Sequence, residues 1–250
     1  MRIIRDIEQR SWDWFQMRAG KVTASGIGKL ITDKFALRKW STEMPNSYLH
    51  LKLAEKWRGI PEEQFGGNRQ TDQGVFAEPQ AFSVYSALQD RPVERIAGID
   101  SETGLWCSPD GWLRLDVPPD AEGDAGLELK CPMASTHIGY LLAGVLPEEY
   151  VLQVQFSMFV TGAAKWHFFS FCKDLPDLFV EVQRDPSVIE AIEVATELFR
   201  EKFEAGWVRL CDLNGGPPPP RVRVDTTKQS YADWQKGLER QADANAGVTP

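Results

Sequence analysis

Two short alternating stretches on either side of a turn-rich spacer constrain this chain more than any other feature. Trp112-Leu113-Arg114-Leu115 and Gly126-Leu127-Glu128-Leu129 read as strands, and Asp116 to Asp124 between them holds Pro118, Pro119 and Gly123, the residues of a chain reversal. A hairpin centred near Pro119 sets Asp110 directly across from Glu128, with about 5 Å between their Cβ atoms. Lys130 lies two residues beyond Glu128, so the strand's period of two places both on one face. One supersecondary unit thus gathers two carboxylates and an ammonium. Leu127, Leu129 and Cys131 alternate with them and predict a core-facing side, the polar side being turned to a cleft or to water.

Facing carboxylates repel each other unless a cation sits between them. Carboxylate oxygens suit hard divalent cations, and a neighbouring ammonium can orient or help deprotonate an attacking water. The plain alternative is a surface hairpin with solvated charges.

Composition narrows the field. A chain of 250 residues is long enough for one substantial core, or for a core domain with a tail. The longest apolar run, Ile138 to Leu146, stops at Pro147-Glu148-Glu149 and is too short to span a bilayer. The beginning, Met1-Arg2-Ile3-Ile4-Arg5-Asp6, lacks the apolar stretch of a signal peptide. The four cysteines, at positions 107, 131, 172 and 211, form no CxxC pair, which fits small core residues in a reducing cytoplasm. His50, His137 and His167 do not cluster in the sequence, which argues against a histidine-metal nuclease or a zinc protease.

The net charge of −8 argues against nucleic acid until its distribution is considered. Residues 1–60 hold 12 Lys or Arg against 6 Asp or Glu, a net of +6, so the remaining 190 residues carry −14. A polyphosphate is drawn to local positive potential rather than to net charge. The block with Lys21, Lys29, Lys34, Arg38 and Lys39 is the candidate contact surface.

Patterning predicts helices near 11–17, 24–31, 46–58 and 70–89, with Thr23 and Asn46 as N-caps of the second and third. Strands follow near 93–99, 104–107, 110–116 and 125–131, then helices at 135–144 and 148–161 separated by Pro147. Strands near 165–172 and 178–183 precede an amphipathic helix at 186–206, its stripe formed by Val188, Ile192, Ala195, Phe199 and Phe203. This order suits an α/β core with a mixed sheet. Gly215-Gly216 followed by Pro217 to Pro220 reads as a spacer. The expected division is a domain over 1–213 and a tail over 214–250, in which Gln229 to Ala242 reads as a short helix with Tyr231, Trp234 and Leu238 on one face.

Pro109-Asp110 followed by Glu128-Leu129-Lys130 resembles the PD-(D/E)xK nuclease signature. A longer, ordered set of blocks is similar to the phage recombination exonucleases typified by lambda exonuclease: Trp14, Arg18 to Ser25, Ser47-Tyr48, Leu53 to Glu55, Glu78, Cys107 to Gly111, Gly126 to Pro132, and Gln153 to Met158. The resemblance runs from about residue 10 to about residue 170 and implies a nuclease core with a central mixed sheet flanked by helices. It also implies Asp110 and Glu128, with the main-chain carbonyl of Leu129, as ligands to one or two Mg2+ or Mn2+ ions, and Lys130 as the residue that positions the nucleophilic water. Glu78 resembles the family's outer acidic residue, and Gln155 a helix residue near the scissile end. Gln153 and Gln155, two apart on one helix, cannot both face the cleft squarely. Arg18, Ser25 and Ser108 align with residues that bind DNA phosphates, with Lys34 and Arg38 as further contacts.

One departure stands out. Where the family carries an arginine for the terminal 5′-phosphate, six residues past the lysine, this chain has Thr136, so end-phosphate preference is weakened or is supplied by His137 or Arg38. The resemblance implies a cytoplasmic 5′→3′ exonuclease that acts on ends of double-stranded DNA, leaves 3′ single strands, assembles as a toroidal homotrimer and works with a single-strand annealing protein. Two other readings stay open at this point: an endonuclease or nickase of the same fold, and a non-catalytic DNA-end-binding protein.

Overall fold

The computed structural model describes residues 1–62, 69–89, 92–113 and 125–218, with side chains in the second segment placed from residue 77 onward. The chain opens with β1 (Arg2–Ile4), α1 (Trp12–Arg18) and β2 (Val22–Thr23), and a 3-10 helix over Ala24–Lys29 leads to α2 (Glu43–Arg58). Next come α3 (Arg69–Ala87), β3 (Val93–Glu94), β4 (Gly98–Asp100), β5 (Leu105–Cys107), β6 (Gly111–Leu113) and β7 (Ala125–Lys130). The remainder is α4 (Ala134–Ala143), α5 (Glu148–Thr161), β8 (Lys165–Ser170), β9 (Leu178–Gln183) and α6 (Pro186–Asn214). The turn expected at Asp116–Asp124 and the helix expected at Gln229–Ala242 lie outside the described residues.

The strands form two mixed sheets rather than one. The first has the order β1-β4-β5-β2 and the second β3-β6-β7-β8-β9. The single strand expected over 93–99 is cut in two, because the chain passes from one sheet to the other there. Val93 and Glu94 pair with β6, whereas Gly98 and Ile99 pair with Ile4 and Ile3. Between them, Ala97 N donates to Ile4 O at 2.8 Å. Gly98 is required at the crossing: a Cβ there would stand 2.3 Å from the Trp106 ring.

β7 is the middle strand of the five, antiparallel to β6 and parallel to β8. The parallel pairing needs a long crossover, which α4 and α5 provide. With helices on both sides, β7 has no solvent face, and Ala125 to Leu129 are all buried. Leu127 and Leu129 pack with Ala81 and Tyr85 of α3, while Glu128 meets α5 on the other side through Gln153. The polar side, expected to face a cleft or water, is thus covered by α5 at Glu128.

The helix ends follow local chemistry. Asp185 caps α6, its Oδ1 accepting from Ser187 N at 2.9 Å and Val188 N at 3.4 Å, with Pro186 at the first helical position. Left-handed glycines, Gly144, Gly162 and Gly215, close α4, α5 and α6. α2 starts at Glu43 with Thr42 as cap residue, earlier than expected; Asn46 sits inside the helix and donates from Nδ2 to Trp40 O at 2.7 Å. Thr23 precedes a 3-10 helix and makes no side-chain cap bond. α6 runs past the expected end at 206 to Asn214, and Gly206 inside it leaves room for Leu53, which a Cβ there would approach to 2.8 Å. Of the described residues, no helix is long and apolar enough to cross a membrane.

Candidate active site

The register Gly111↔Leu127 and Trp112↔Gly126 places Asp110 across from Glu128, at the point where the β6–β7 ladder ends. Asp110 is held by backbone on both sides: its N–H donates to Leu127 O at 2.9 Å, and its Oδ2 accepts from Leu129 N at 2.7 Å. The side chain of Gln9 braces the corner before it, donating to Pro109 O at 2.9 Å and Ile96 O at 2.8 Å. Since the carbonyl of Leu127 points to the Asp110 edge, that of Leu129, two residues along, points to the same edge.

Lys130 and Glu128 share a face and are joined by a short bond from Nζ to Oε1. The same Oε1 accepts from Gln153 Nε2 at 2.6 Å. Lys130 Nζ also stands over the Tyr150 ring, 5.0 Å from its centroid. Burial pushes the Asp110 carboxyl up to about 7, and the Glu128 charge adds to the rise. Burial alone would lower Lys130, but Glu128 and Asp110 outweigh it and hold the ammonium above its ordinary value. Glu78 lies near enough to act on both groups. It is flanked by Arg10 at 3.1 Å and Arg95 at 3.4 Å.

This donor set fits a hard cation. The two carboxylates face each other, and desolvation together with the Glu128 charge raises the Asp110 carboxyl although Lys130 offsets part of the rise. Among the described residues, Asp110 Oδ1 and Glu128 Oε2 accept no hydrogen bond. All the ligands on offer are oxygens, and no group of three or more His, Cys, Asp or Glu forms a ready cluster among the described residues. The set is thus two carboxylates with the Leu129 carbonyl beside them.

Among the phosphate-binding candidates, Arg18 and Ser108 are brought together by Trp14. The Arg18 guanidinium lies 4.0 Å from the Trp14 ring centroid, and Trp14 Nε1 donates to Ser108 Oγ at 3.1 Å. Trp106 Nε1 donates to the same hydroxyl at 2.7 Å. Trp14 Nε1 also donates to Ala97 O at 2.7 Å, so Trp106 is the main donor to Ser108, whose own hydroxyl proton can be given to an anion. Ser25 is exposed, its hydroxyl 3.5 Å from that of Thr23. Lys34 is exposed, and Arg38 Nε donates to Gly28 O at 2.9 Å. Among the described residues, no hydrogen bond or ion pair joins either of these two to Asp110, Glu128 or Lys130.

Two expectations need correction. Gln155 is turned away from the cleft: its Nε2 donates to Gln183 O at 2.8 Å and its Oε1 accepts from Asp185 N at 3.0 Å, so it ties α5 to the start of α6. Gln153 is the residue that reaches Glu128. The signal was available, because Tyr150 and Gln153 stand three apart on one helical face. His137 is also no substitute for the absent arginine. It is fully buried, its Nε2 donating to Pro176 O at 2.8 Å and its Nδ1 accepting from the Ser170 hydroxyl at 2.8 Å. Gln9, Arg10 and Arg95 were not legible as site residues, since each reaches the site from an element remote in sequence.

A mixed α/β fold with an Asp-Glu-Lys set at the end of a central paired strand defines a nuclease of the PD-(D/E)xK class. Residues 13–164, more than half of the chain, match the YqaJ-like viral recombinase domain, and the chain belongs to that family. No curated protein matches. Among solved structures, the chain is similar to the alkaline exonuclease LHK-Exo from Laribacter hongkongensis, with a TM-score of 0.67, 27% identity, and 81% of this chain and 97% of that one covered. The same enzyme in complex with dAMP gives a TM-score of 0.66 and 28% identity over the same shares of the two chains. A phage related exonuclease from Haemophilus somnus 129PT, at TM-score 0.54 and 15% identity, covering 76% of this chain and 96% of that one, shares the fold.

Proposed function

We propose that this chain is a Mg2+- or Mn2+-dependent 5′→3′ exonuclease that digests one strand of linear double-stranded DNA and leaves 3′ single strands for annealing-type recombination. The observation that carries the reading is the set of Asp110, Glu128 and Lys130 held together by paired strands. The membership of a viral recombinase family and the likeness to an alkaline exonuclease support it. So does the dAMP complex of that relative, because a deoxynucleoside monophosphate is the product class that stepwise digestion releases.

A bound divalent cation supplies Lewis-acid stabilisation of the charge that builds up on the phosphate. Asp110, Glu128 and the Leu129 carbonyl would hold it, and Glu78 completes the acidic rim. Lys130 orients the attacking water at the phosphorus. The new P–O bond forms as the bond to the 3′-oxygen breaks, and that oxygen leaves as a hydroxyl once it takes a proton. Arg18 and Ser108 grip a neighbouring phosphate, the guanidinium through charge and the hydroxyl through its own proton. In this reading the enzyme works in the cytoplasm as a ring-shaped homotrimer beside an annealing protein.

A time course on linear duplex labelled separately at each terminus, with Mg2+ or with EDTA, tests the proposal. Release of the 5′ label first, only with Mg2+, is expected. Cleavage of covalently closed circular duplex at a comparable rate would replace it with the endonuclease reading.

A further inference from the structure

Lys130 presents a difficulty that the nuclease reading does not resolve. Its ammonium is bonded to Glu128 Oε1, an oxygen of the carboxylate that the proposed cation also needs. An ammonium and a divalent cation on one carboxylate repel each other, so the ammonium is pushed from that oxygen when the cation arrives. Asp110 and Glu78 also attract Lys130, but both belong to the same acidic set. The side chain of Lys130 is only 27% exposed, so water alone does not stabilise the displaced charge.

We propose that Tyr150 is a positioning residue that provides the Lys130 ammonium with a second seat, the face of its ring, 5.0 Å from Nζ. The inference rests on the nuclease reading and extends it to a residue outside the charged set. The negative face of an aromatic ring attracts a cation and does not compete for a metal. The ring is also fixed in place. It packs on Phe168 with centroids 5.4 Å apart and a 30° angle between planes, and on Tyr140 at 6.3 Å and 83°. The Tyr140 hydroxyl is bonded to Glu149, the residue before Tyr150. Tyr150 and Gln153 occupy one face of α5, so the same helix steadies Glu128 and receives the ammonium beside it.

Tyr150→Leu and Tyr150→Phe test this through three measurements: steady-state kinetics on linear duplex, Mn2+ binding by calorimetry, and NMR of protein labelled at lysine Cε. Lys130→Arg assigns the Lys130 signal. The Leu variant is expected to lower kcat at least tenfold, with KM and Mn2+ affinity within twofold of the parent. Its Lys130 signal should lose the upfield ring shift. The Phe variant, which keeps the ring, should retain all three properties. Parental kcat in the Leu variant would overturn the proposal. So would a Phe variant that falls as far, which would place the effect in the hydroxyl, or a raised KM with intact kcat, which would make Tyr150 a substrate contact. Tyr150→Met takes the place of the Leu variant if that chain does not fold. If the parent itself leaves DNA intact with Mg2+, the nuclease reading fails, and the NMR shift still decides whether the ring seats the ammonium.

Discussion

Asp110 is raised to about 7, because desolvation of the half-buried carboxyl and the facing Glu128 charge disfavour its ionised form. An ordinary aspartate in the unfolded chain titrates near ~4, so the folded protein binds this proton more tightly. Stability therefore falls as pH rises through the window from about 4 to about 7, and the loss is complete above it. Asp110→Asn removes the burden: in EDTA its melting temperature should exceed the parent's by several degrees at pH 8 and match it near pH 4, while activity disappears. Equal melting at pH 8 would show that the carboxylate is not under this stress. Lys130→Ala should fold normally and lower turnover by orders of magnitude; near-normal cleavage would refute its role. The two glutamines of α5 separate site from scaffold. Gln153→Ala releases Glu128 and should lower kcat about tenfold with little change in melting. Gln155→Ala strips two partly buried bonds from α5 to the end of β9 and the cap residue of α6, at about 2 kcal/mol, which is roughly 5 °C in Tm at this chain length, with kcat unchanged. Paired melting and kinetic measurements on both variants distinguish the outcomes.

Among the elements, β7 is the most tightly constrained. Gly126 lies beside Trp166 in the parallel register, and a Cβ there would stand 2.2 Å from that ring. Trp166 is fully buried in the main core cluster and packs edge-on against Trp112 at 6.0 Å, so it has nowhere to retreat. Gly126→Ala should cost about 3 kcal/mol by overpacking and should shift Glu128, two residues on, out of line with Asp110. Gly139 is the control: it lies inside α4, and a Cβ there meets nothing within 4 Å. Gly139→Ala should raise stability by up to ~1 kcal/mol and leave cleavage intact. Thermal melts and rate assays on the pair check whether the glycine in β7 serves packing rather than flexibility.

The whole molecule sets its charge against its substrate. A net charge of −8 covers a chain whose first 60 residues carry +6. Within that block the cations are not equivalent. Lys21 is engaged by Asp100 at 2.7 Å and Arg38 by a backbone carbonyl, whereas Lys29, Lys34 and Lys39 are exposed. Reversing Lys34 and Lys39 to Glu should raise KM for duplex DNA at least tenfold with kcat nearly unchanged. It should also flatten the salt dependence of binding, because fewer counterions are released. An unaltered salt slope would move the DNA path elsewhere on the surface.

Strand alternation and the turn-rich spacer were enough to set Asp110 opposite Glu128 and to put Lys130 on the same face, since hairpin register and the two-residue period are local properties. The break between α4 and α5 at Pro147 was legible for the same reason. The split into two sheets, the burial of both faces of β7, the inward turn of His137 and the choice of Gln153 over Gln155 depend on which distant segments come to lie alongside. Arg10 and Arg95 reach Glu78 across long sequence separations, and no local pattern encodes such a meeting. Local chemistry determined that Asp110, Glu128 and Lys130 meet; packing between remote elements determined which residues surround them, because burial and partnership exist only once the chain has closed on itself.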